Sequence, residues 1–294
     1  MAKRINRAVE LLEGNQPIYY TGGHTGAVLT YEQGKKDAHT WADYINVGME
    51  HGAFDMTGLA EYMRGLCDGG PTKSGHRTPP VIVELPADGT SEPVIRYNSW
   101  QVRQILARGV HGILLCMAES PDAVRAFVES CRYPINKAGV GKGLGTGTRG
   151  VGSEPTATRV WGVSRDDYID KCDPWPLNPA GELLLGVKIE SPRAVSNVEQ
   201  IMRVPGIGFA EMGPGDLSMA LGYKTIRRDP YPPEMQEAHD RVSRACRENG
   251  IAFLSGATPE TIGKVIDSGA RVISGGREDT AVAGRKHSQR TMPY

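Results

Sequence analysis

The sequence predicts an α/β protein that folds as a single (β/α)8 barrel, the TIM-barrel architecture. Short apolar runs alternate with segments of helical periodicity along most of the chain, which is typical of a parallel sheet with helices on its outside. The length of 294 residues fits one such barrel of about 250 residues with modest additions. We expect residues 1–294 to form one barrel domain, with a leading N-terminal helix and a C-terminal helix and tail.

Eight apolar runs supply the predicted strands. They lie at residues 17–21, 44–47, 81–85, 112–117, 183–189, 207–212, 251–254 and 271–274. Segments with apolar residues three and four positions apart supply the predicted helices. These lie within residues 1–16, at 37–43, 56–66, 100–107, 120–131, 192–204, 235–248 and 258–268, and from 280 onward. Serine followed by proline opens two of them, at 120–121 and 191–192, since serine caps a helix and proline fits its first turn.

Composition excludes several classes of partner. The chain has 34 basic and 34 acidic residues, so a nucleic acid or an anionic membrane is not expected as its main partner. The apolar runs all fall short of the roughly 20 residues that a membrane span needs. The five cysteines are dispersed and odd in number, which favours reduced thiols and a cytoplasmic location.

Two carboxylates follow neighbouring predicted strands. Glu190 comes directly after the strand at 183–189, and Asp216 follows the strand at 207–212. Because the carboxyl ends of parallel strands lie on one face, this pair can hold a hard divalent cation. Each acid alone could equally be a solvated loop residue or a helix cap. The residues Gly213-Pro214-Gly215 add weight to a site, since small residues let a backbone approach a ligand with its amides.

The same stretch resembles the signature of the HpcH/HpaI aldolase family, the metal-dependent class II aldolases of 2-oxo acids. The similarity lies in Lys188-Ile189-Glu190 and in the run from Gly213 through Asp216 to Ser218. Gly48-Met49-Glu50-His51 also stands where the family has Asp-Gly-Glu-His, and the likeness covers about residues 40 to 280. The resemblance implies a barrel of the phosphoenolpyruvate/pyruvate-domain type.

The resemblance also implies a chemistry. Glu190 and Asp216 would ligate Mg²⁺, Mn²⁺ or Co²⁺, and Gly213, Pro214 and Gly215 would bind the substrate carboxylate with Lys188 and Ser218 nearby. The reaction would be cleavage or formation of a C–C bond beside the carbonyl of a 2-oxo acid, with an aldehyde as the second reactant, through a metal-bound enolate. Two alternatives stay open: a lyase of CoA thioesters, of the citryl-CoA or malyl-CoA type, and a repurposed barrel with altered chemistry.

Two further catalytic positions follow from the resemblance. His51 would move a proton at the aldehyde end, although the family's aspartate partner is replaced by Gly48. The family's arginine at the end of the third strand, which stabilises the enolate, has two main candidate equivalents here, and Arg77 or no equivalent at all remain as alternatives. The local sequence around Arg96 resembles that around the family's arginine. The position along the predicted third strand favours Glu84 instead, which would put an acid in place of a cation.

Two expectations concern charge and assembly. Lys188 and Glu211 lie on neighbouring predicted strands and both depart from the family, so we predict that they form an ion pair inside the barrel. The segment from 280 to 294 is too polar to be expected against its own barrel. Together with the family's assembly, this predicts a homo-oligomer, a hexamer or a trimer, joined through the C-terminal helix and tail.

Overall fold

The computed structural model of the chain, which describes residues 2–225, 230–274 and 276–294, is a closed parallel barrel with helices around it. Its strands are β1 (Ile18–Gly23), β2 (Tyr44–Gly48), β3 (Val81–Leu85), β4 (Gly112–Leu115), β5 (Pro174–Trp175), β6 (Leu183–Ile189), β7 (Phe209–Met212), β8 (Ala252–Gly256) and β9 (Ala270–Ser274). Eight of them pair in the order β4-β3-β2-β1-β9-β8-β7-β6, and β4 pairs with β6 to close the ring. The short β5 pairs with the start of β6. The predicted (β/α)8 barrel is therefore confirmed.

Helices lie outside and between the strands. They are α1 (Arg7–Glu13), α2 (Tyr31–Asp37), α3 (Met56–Asp68), α4 (Glu92–Leu106), α5 (Pro121–Cys131), α6 (Glu154–Trp161), α7 (Arg165–Lys171), α8 (Pro192–Ser196), α9 (Val198–Ile201), α10 (Pro214–Ala220), α11 (Pro233–Glu248), α12 (Ile262–Asp267) and α13 (Glu278–His287). Across the described ranges, no helix is both long and apolar enough to span a bilayer.

The helix predicted at 37–43 is wrong. The structure has α2 at Tyr31–Asp37 instead, because the Thr30 side chain accepts a hydrogen bond from the Gln33 amide and starts the helix earlier. The helix predicted at 100–107 begins at Glu92. The sequence pattern predicts no helix in the segments that form α6, α7 and α10. Their short, polar sequences carry little helical periodicity, which explains why the pattern missed them.

The barrel interior is divided into an apolar layer and a charged layer. On β3, Ile82 and Glu84 are two residues apart and point to the same side, and on β7 the same holds for Phe209 and Glu211. Ile82 and Phe209 belong to an apolar cluster that α1 helps to close at the amino ends of the strands. Glu84 and Glu211, with Lys188 of β6, lie above that cluster and are buried. These three charged residues therefore lie towards the carboxyl ends of the strands.

The C-terminal segment packs on its own barrel, which corrects the expectation that it is too polar to do so. Asp43, just before β2, is fully buried and accepts hydrogen bonds from Arg285 of α13 at 3.2 Å and from Arg290 at 2.8 Å. Arg7 of α1 donates to the carbonyls of Ala42 and Asp43. Pairing with a buried carboxylate is what allows these guanidinium groups to be buried. Whether copies of the chain assemble stays a prediction.

A candidate active site at the carboxyl ends of the strands

One ammonium group lies among several buried carboxylates at the mouth of the barrel. The Nζ atom of Lys188 is 3.0 Å from Oε2 of Glu50, 3.4 Å from Oε2 of Glu84 and 4.0 Å from Oε1 of Glu190. These side chains come from the ends of three strands, β2, β3 and β6, so it is the closed ring that brings them together. Lys188 and Glu84 are almost completely buried.

The predicted Lys188–Glu211 pair is only partly reflected in the structure. The two residues are register partners on β6 and β7. The ammonium group makes its close contacts with Glu50 and Glu84, on the other side of the barrel. Burial lowers the pKa of Lys188, but Glu190, Glu84 and Glu211 outweigh it and the pKa stays above its ordinary value. Lys188 is therefore a charged ammonium that four carboxylates share.

Glu190 is a buried acid whose pKa lies above its ordinary value. The Met117 amide donates a hydrogen bond to its Oε2 at 2.9 Å. Its carboxylate lies directly over Gly213, where a Cβ atom would come within 2.3 Å of Oε1, so a larger residue at 213 would displace it. Burial, together with the nearby carboxylates of Glu50 and Glu211, raises the pKa of Glu190 to about 8. Such a carboxylate gains from a cation beside it.

Two groups of three donor side chains come close together in the described part of the chain. The first is Glu50, His51 and Asp216, with one donor atom of each within 4.8 Å of the others. The second is Glu50, Glu84 and Cys116, also within 4.8 Å. The Lys188 ammonium already lies against Glu50 and Glu84, so the second group has its cation. The first group, with Glu190 beside it, has the oxygen-rich donor set that hard divalent cations prefer.

The segment predicted as a Gly-Pro-Gly-Asp turn is the first turn of α10. Gly213 is its N-cap, Pro214 opens the helix, and the N-terminus has no side-chain cap. The Gly213 amide donates to Ile189, so the amides of Gly215 and Asp216 are the ones that a ligand at this end of α10 can reach.

Ser218 does not fit the predicted substrate contact. Its side chain is buried, and its hydroxyl donates to the Pro214 carbonyl at 2.5 Å and lies 3.8 Å from the Met235 sulfur. A hydroxyl bonded to the preceding turn of its own helix stabilises α10 and is turned away from the mouth.

Arg96 is the second correction. It lies on α4, half-exposed, and pairs with Glu92 of the same helix and with Glu129 of α5 at 2.6 Å. It is therefore outside the mouth and cannot stabilise an enolate there. Glu84 occupies the end of β3, as strand position suggested. The structure thus places an acid where the resemblance led us to expect an arginine.

His24 is a site residue that the sequence reasoning did not single out. It directly follows β1, and its Nδ1 atom lies 2.5 Å from Oε1 of Glu84, which also accepts from the Asn46 amide at 2.8 Å. The hydrogen bond to Glu84 raises the pKa of His24 above its ordinary value. The position of His24 just after a strand was the one signal in the sequence that could have identified it as a site residue. Its partner is 60 residues away in the chain, so no local motif marks the pair.

His51 follows β2, as predicted, and is half-exposed at the rim. Its Nε2 atom is 3.6 Å from Oε2 of Glu50, the same oxygen that contacts Lys188. His51 is thus a member of the donor group with Glu50 and Asp216, and its part in proton transfer stays a prediction.

Comparison with known proteins supports this picture. A model of the HpcH/HpaI aldolase/citrate lyase family matches residues 79–283. The 4-hydroxy-2-oxo-heptane-1,7-dioate aldolase of Shigella sonnei is 29% identical over 223 residues, which are 74% of this chain and 77% of that protein. The hydroxypyruvate/pyruvate aldolase of Cupriavidus necator is 28% identical over 215 residues, 72% of each chain. A family member from Burkholderia cenocepacia J2315 has the same fold, with a TM-score of 0.69 at 24% identity over 96% of this chain and 97% of that one.

Proposed function

Because the chain belongs to the HpcH/HpaI aldolase/citrate lyase family and is therefore an enzyme of the carbon–carbon lyase class, we propose that it is a divalent-metal-dependent aldolase of 2-oxo acids. It cleaves or forms the bond next to the carbon that bears the ketone, with pyruvate or a close analogue as one partner and an aldehyde as the other. The observation that carries the proposal is the excess of negative charge at the mouth. The carboxylates of Glu50, Glu84 and Glu190 outnumber the Lys188 ammonium that lies among them.

Glu190 and Asp216 would hold the metal ion, with Glu50 and His51 at its edge. The donor set fits, because carboxylate oxygens suit Mg²⁺, Mn²⁺ and Co²⁺, and the raised pKa of Glu190 marks a carboxylate that a cation would stabilise in its ionised form. When bound, the ion supplies Lewis-acid polarisation of the substrate's carbonyl oxygen. The preferred metal is left to experiment.

The chain's own groups position the substrate and stabilise its charge. The amides of Gly215 and Asp216 at the start of α10, which has no side-chain cap, would bind the carboxylate of the 2-oxo acid. Lys188 would stabilise the negative charge that develops on the ketone oxygen, a part that Arg96 cannot take from its place on α4. The absence of a side chain at Gly213 leaves room for the Glu190 carboxylate beside this end of α10.

Metal dependence tests the proposal. Glu190→Gln and Asp216→Asn should each lower release of pyruvate from 4-hydroxy-2-oxoheptane-1,7-dioate by about 100-fold or more, since the metal contributes several kcal/mol to the transition state. Calorimetric titration with Mn²⁺ should show weakened binding in the same variants. Glu61→Gln, which changes a half-exposed acid on α3, is the matched control and should behave as wild type. Full activity in either site variant, or after exhaustive chelation with EDTA, would contradict the proposal.

The same assay separates the alternatives left open by the sequence. A lyase of CoA thioesters would release acetyl-CoA from citryl-CoA or malyl-CoA and leave 4-hydroxy-2-oxo acids untouched. A repurposed barrel would bind Mn²⁺ and act on neither class of substrate.

A further inference from the structure

A histidine–carboxylate pair lies at the mouth, apart from the proposed metal ligands. His24 Nδ1 is 2.5 Å from Glu84 Oε1. The Glu84 side chain is completely buried, whereas the His24 side chain is 45% exposed. One member of the pair is therefore fixed inside the barrel, and the other is partly exposed to solvent at the mouth.

We propose that His24 is the acid–base group of the reaction and that Glu84 is the residue that positions it; the proposal rests on the aldolase function proposed above. In the cleavage direction His24 takes the proton from the hydroxyl on C4 of a 4-hydroxy-2-oxo acid. The O–H electrons form the aldehyde carbonyl, the C3–C4 bond breaks, and its electron pair moves into the C2–C3 bond as the ketone becomes an enolate. The imidazolium then delivers a proton to C3, which gives the free 2-oxo acid without any further reactant.

The hydrogen bonds around Glu84 fix the tautomer that this step requires. Burial alone would raise the pKa of Glu84, but the hydrogen bond with His24, the Lys188 ammonium and the Asn46 amide hold it below its ordinary value. An ionised carboxylate accepts only, so Nδ1 of His24 carries the hydrogen in their shared bond. In neutral His24 the basic nitrogen is then Nε2, on the far side of the ring from Glu84. This is the logic by which a carboxylate orients a catalytic imidazole.

The glycine at position 48 is part of the structure that holds His24 beside Glu84. Gly48 is the register partner of Glu84 on the neighbouring strand. A Cβ atom at 48 would lie 2.1 Å from the carbonyl oxygen of His24 and 2.6 Å from that of Gly23. The backbone of His24 therefore occupies the space in which the family's aspartate would begin. The close approach of the His24 backbone thus leaves no room for a side chain at position 48 while it places the imidazole beside Glu84.

His51, the rival for this role, makes no comparably short contact with a carboxylate in the described part of the chain. Its Nε2 atom lies 3.6 Å from Oε2 of Glu50, and the same oxygen is 3.0 Å from the Lys188 ammonium. Neither the distance from His51 to Glu50 nor the charge of Glu50 fixes one tautomer of His51. The tautomer of His24, by contrast, is fixed by its 2.5 Å contact with Glu84.

The surroundings of His24 define a pH dependence. The hydrogen bond to Glu84 raises the pKa of His24, partial burial and Lys188 lower it, and Glu84 and Glu211 raise it through their charges. A base must be neutral to accept a proton, so kcat/KM should fall as the pH drops through this raised pKa. Weakening the Glu84 hydrogen bond should move that limb of the profile to lower pH.

The decisive experiment compares His24→Gln with wild type in two assays that use Mn²⁺. One follows pyruvate release from 4-hydroxy-2-oxoheptane-1,7-dioate, and the other follows exchange of the pyruvate methyl protons for deuterium by NMR, which needs no aldehyde. We expect kcat to fall 100- to 10,000-fold in the first assay, with KM and Mn²⁺ affinity little changed, and exchange to fall as well. His287→Gln is the matched control, because His287 forms another exposed histidine–carboxylate pair, with Asp267 at 2.8 Å, on α13.

Three further variants separate catalysis from structure. His24→Ala should regain activity when imidazole is added, which a purely structural loss would not allow. Glu84→Gln should keep the fold, judged by its melting temperature, and shift the acid limb to lower pH. Gly48→Asp should lose activity as well, because its side chain displaces the His24 backbone.

Distinct results would overturn distinct claims. Normal kcat in His24→Gln, or a large loss confined to His51→Gln, would assign proton transfer elsewhere and overturn this inference while leaving the aldolase proposal intact. Absence of both pyruvate release and exchange in the wild-type enzyme would refute the aldolase proposal, and this inference with it.

Discussion

Replacing Lys188 by methionine should destabilise the protein strongly, because it removes the cation from a buried cluster of acids. Nζ lies 3.0 Å from Glu50 and 3.4 Å from Glu84. At an effective dielectric constant of about 20, each contact amounts to about 5 kcal/mol of gross attraction. Desolvation of the ammonium offsets much of this. Measured losses on removing one partner of a buried ion pair are about 3–5 kcal/mol, and we expect Lys188→Met to fall in that range.

The assay is urea unfolding of EDTA-treated protein at pH 7.5, followed by circular dichroism. Lys142→Met, which changes an exposed lysine, is the control and should stay within about 0.5 kcal/mol of wild type. The deficit of Lys188→Met should shrink as the pH falls. Lys188 helps to hold the pKa of Glu84 low, so without it the carboxyl protonates at higher pH and the repulsion disappears.

Divalent cations give the experiment a second arm. Added Mn²⁺ should raise the melting temperature of Lys188→Met more than that of wild type, since the variant's acids lack their own cation and binding to the folded state stabilises it. A loss below about 1 kcal/mol at pH 7.5, the lower end of ordinary point-mutant effects, would refute the reasoning. It would mean that water, and not Lys188, compensates the charges of the mouth.

Two further predictions concern the C-terminal segment. Asp43→Asn should destabilise the protein by about 3–5 kcal/mol, because it leaves Arg285 and Arg290 without their buried carboxylate. Burial raises the pKa of Asp43 but the arginines hold it below its ordinary value, so the deficit should be complete at neutral pH and fade below about pH 4 in urea unfolding; an unchanged midpoint would contradict the pairing. We also predict a homo-oligomer, a trimer or a hexamer, and light scattering that gives a mass of 31.8 kDa at micromolar concentration would contradict it.

The barrel could be predicted from sequence because buried parallel strands leave a strong pattern. Runs such as Val81–Leu85 and Leu183–Ile189 are apolar apart from one charged residue each, Glu84 and Lys188, and the structure places strands at those same bounds. The two strand-end acids, Glu190 and Asp216, followed from the same pattern. Once the strands of a parallel barrel are located, the residues that follow them must lie at the same end of the barrel.

Arg96 shows where such reasoning fails. The run Val94-Ile95 before it suggested a strand end, but Ile95 is an inward-facing position of α4. Two apolar neighbours are too few to distinguish a period of 2 from one of 3.6. Pairing partners were equally hidden, since Lys188 meets Glu50 across 138 residues of sequence. Strand register predicted its neighbour Glu211, whereas the closure of the ring decided its closest contacts.

The close backbone contact between the loops after β1 and β2 makes residues 24, 48 and 84 depend on one another, although they are distant in the sequence. Space at 48 is taken by the main chain of residue 24, and residue 84 lies beside both. A side chain cannot be introduced at 48 unless the first loop moves, and a moved loop leaves Glu84 without its imidazole. Related sequences should therefore change these three positions together. A glycine at 48 would accompany histidine at 24 and glutamate at 84. This triplet would identify barrels in which the proposed catalytic base follows the first strand and not the second.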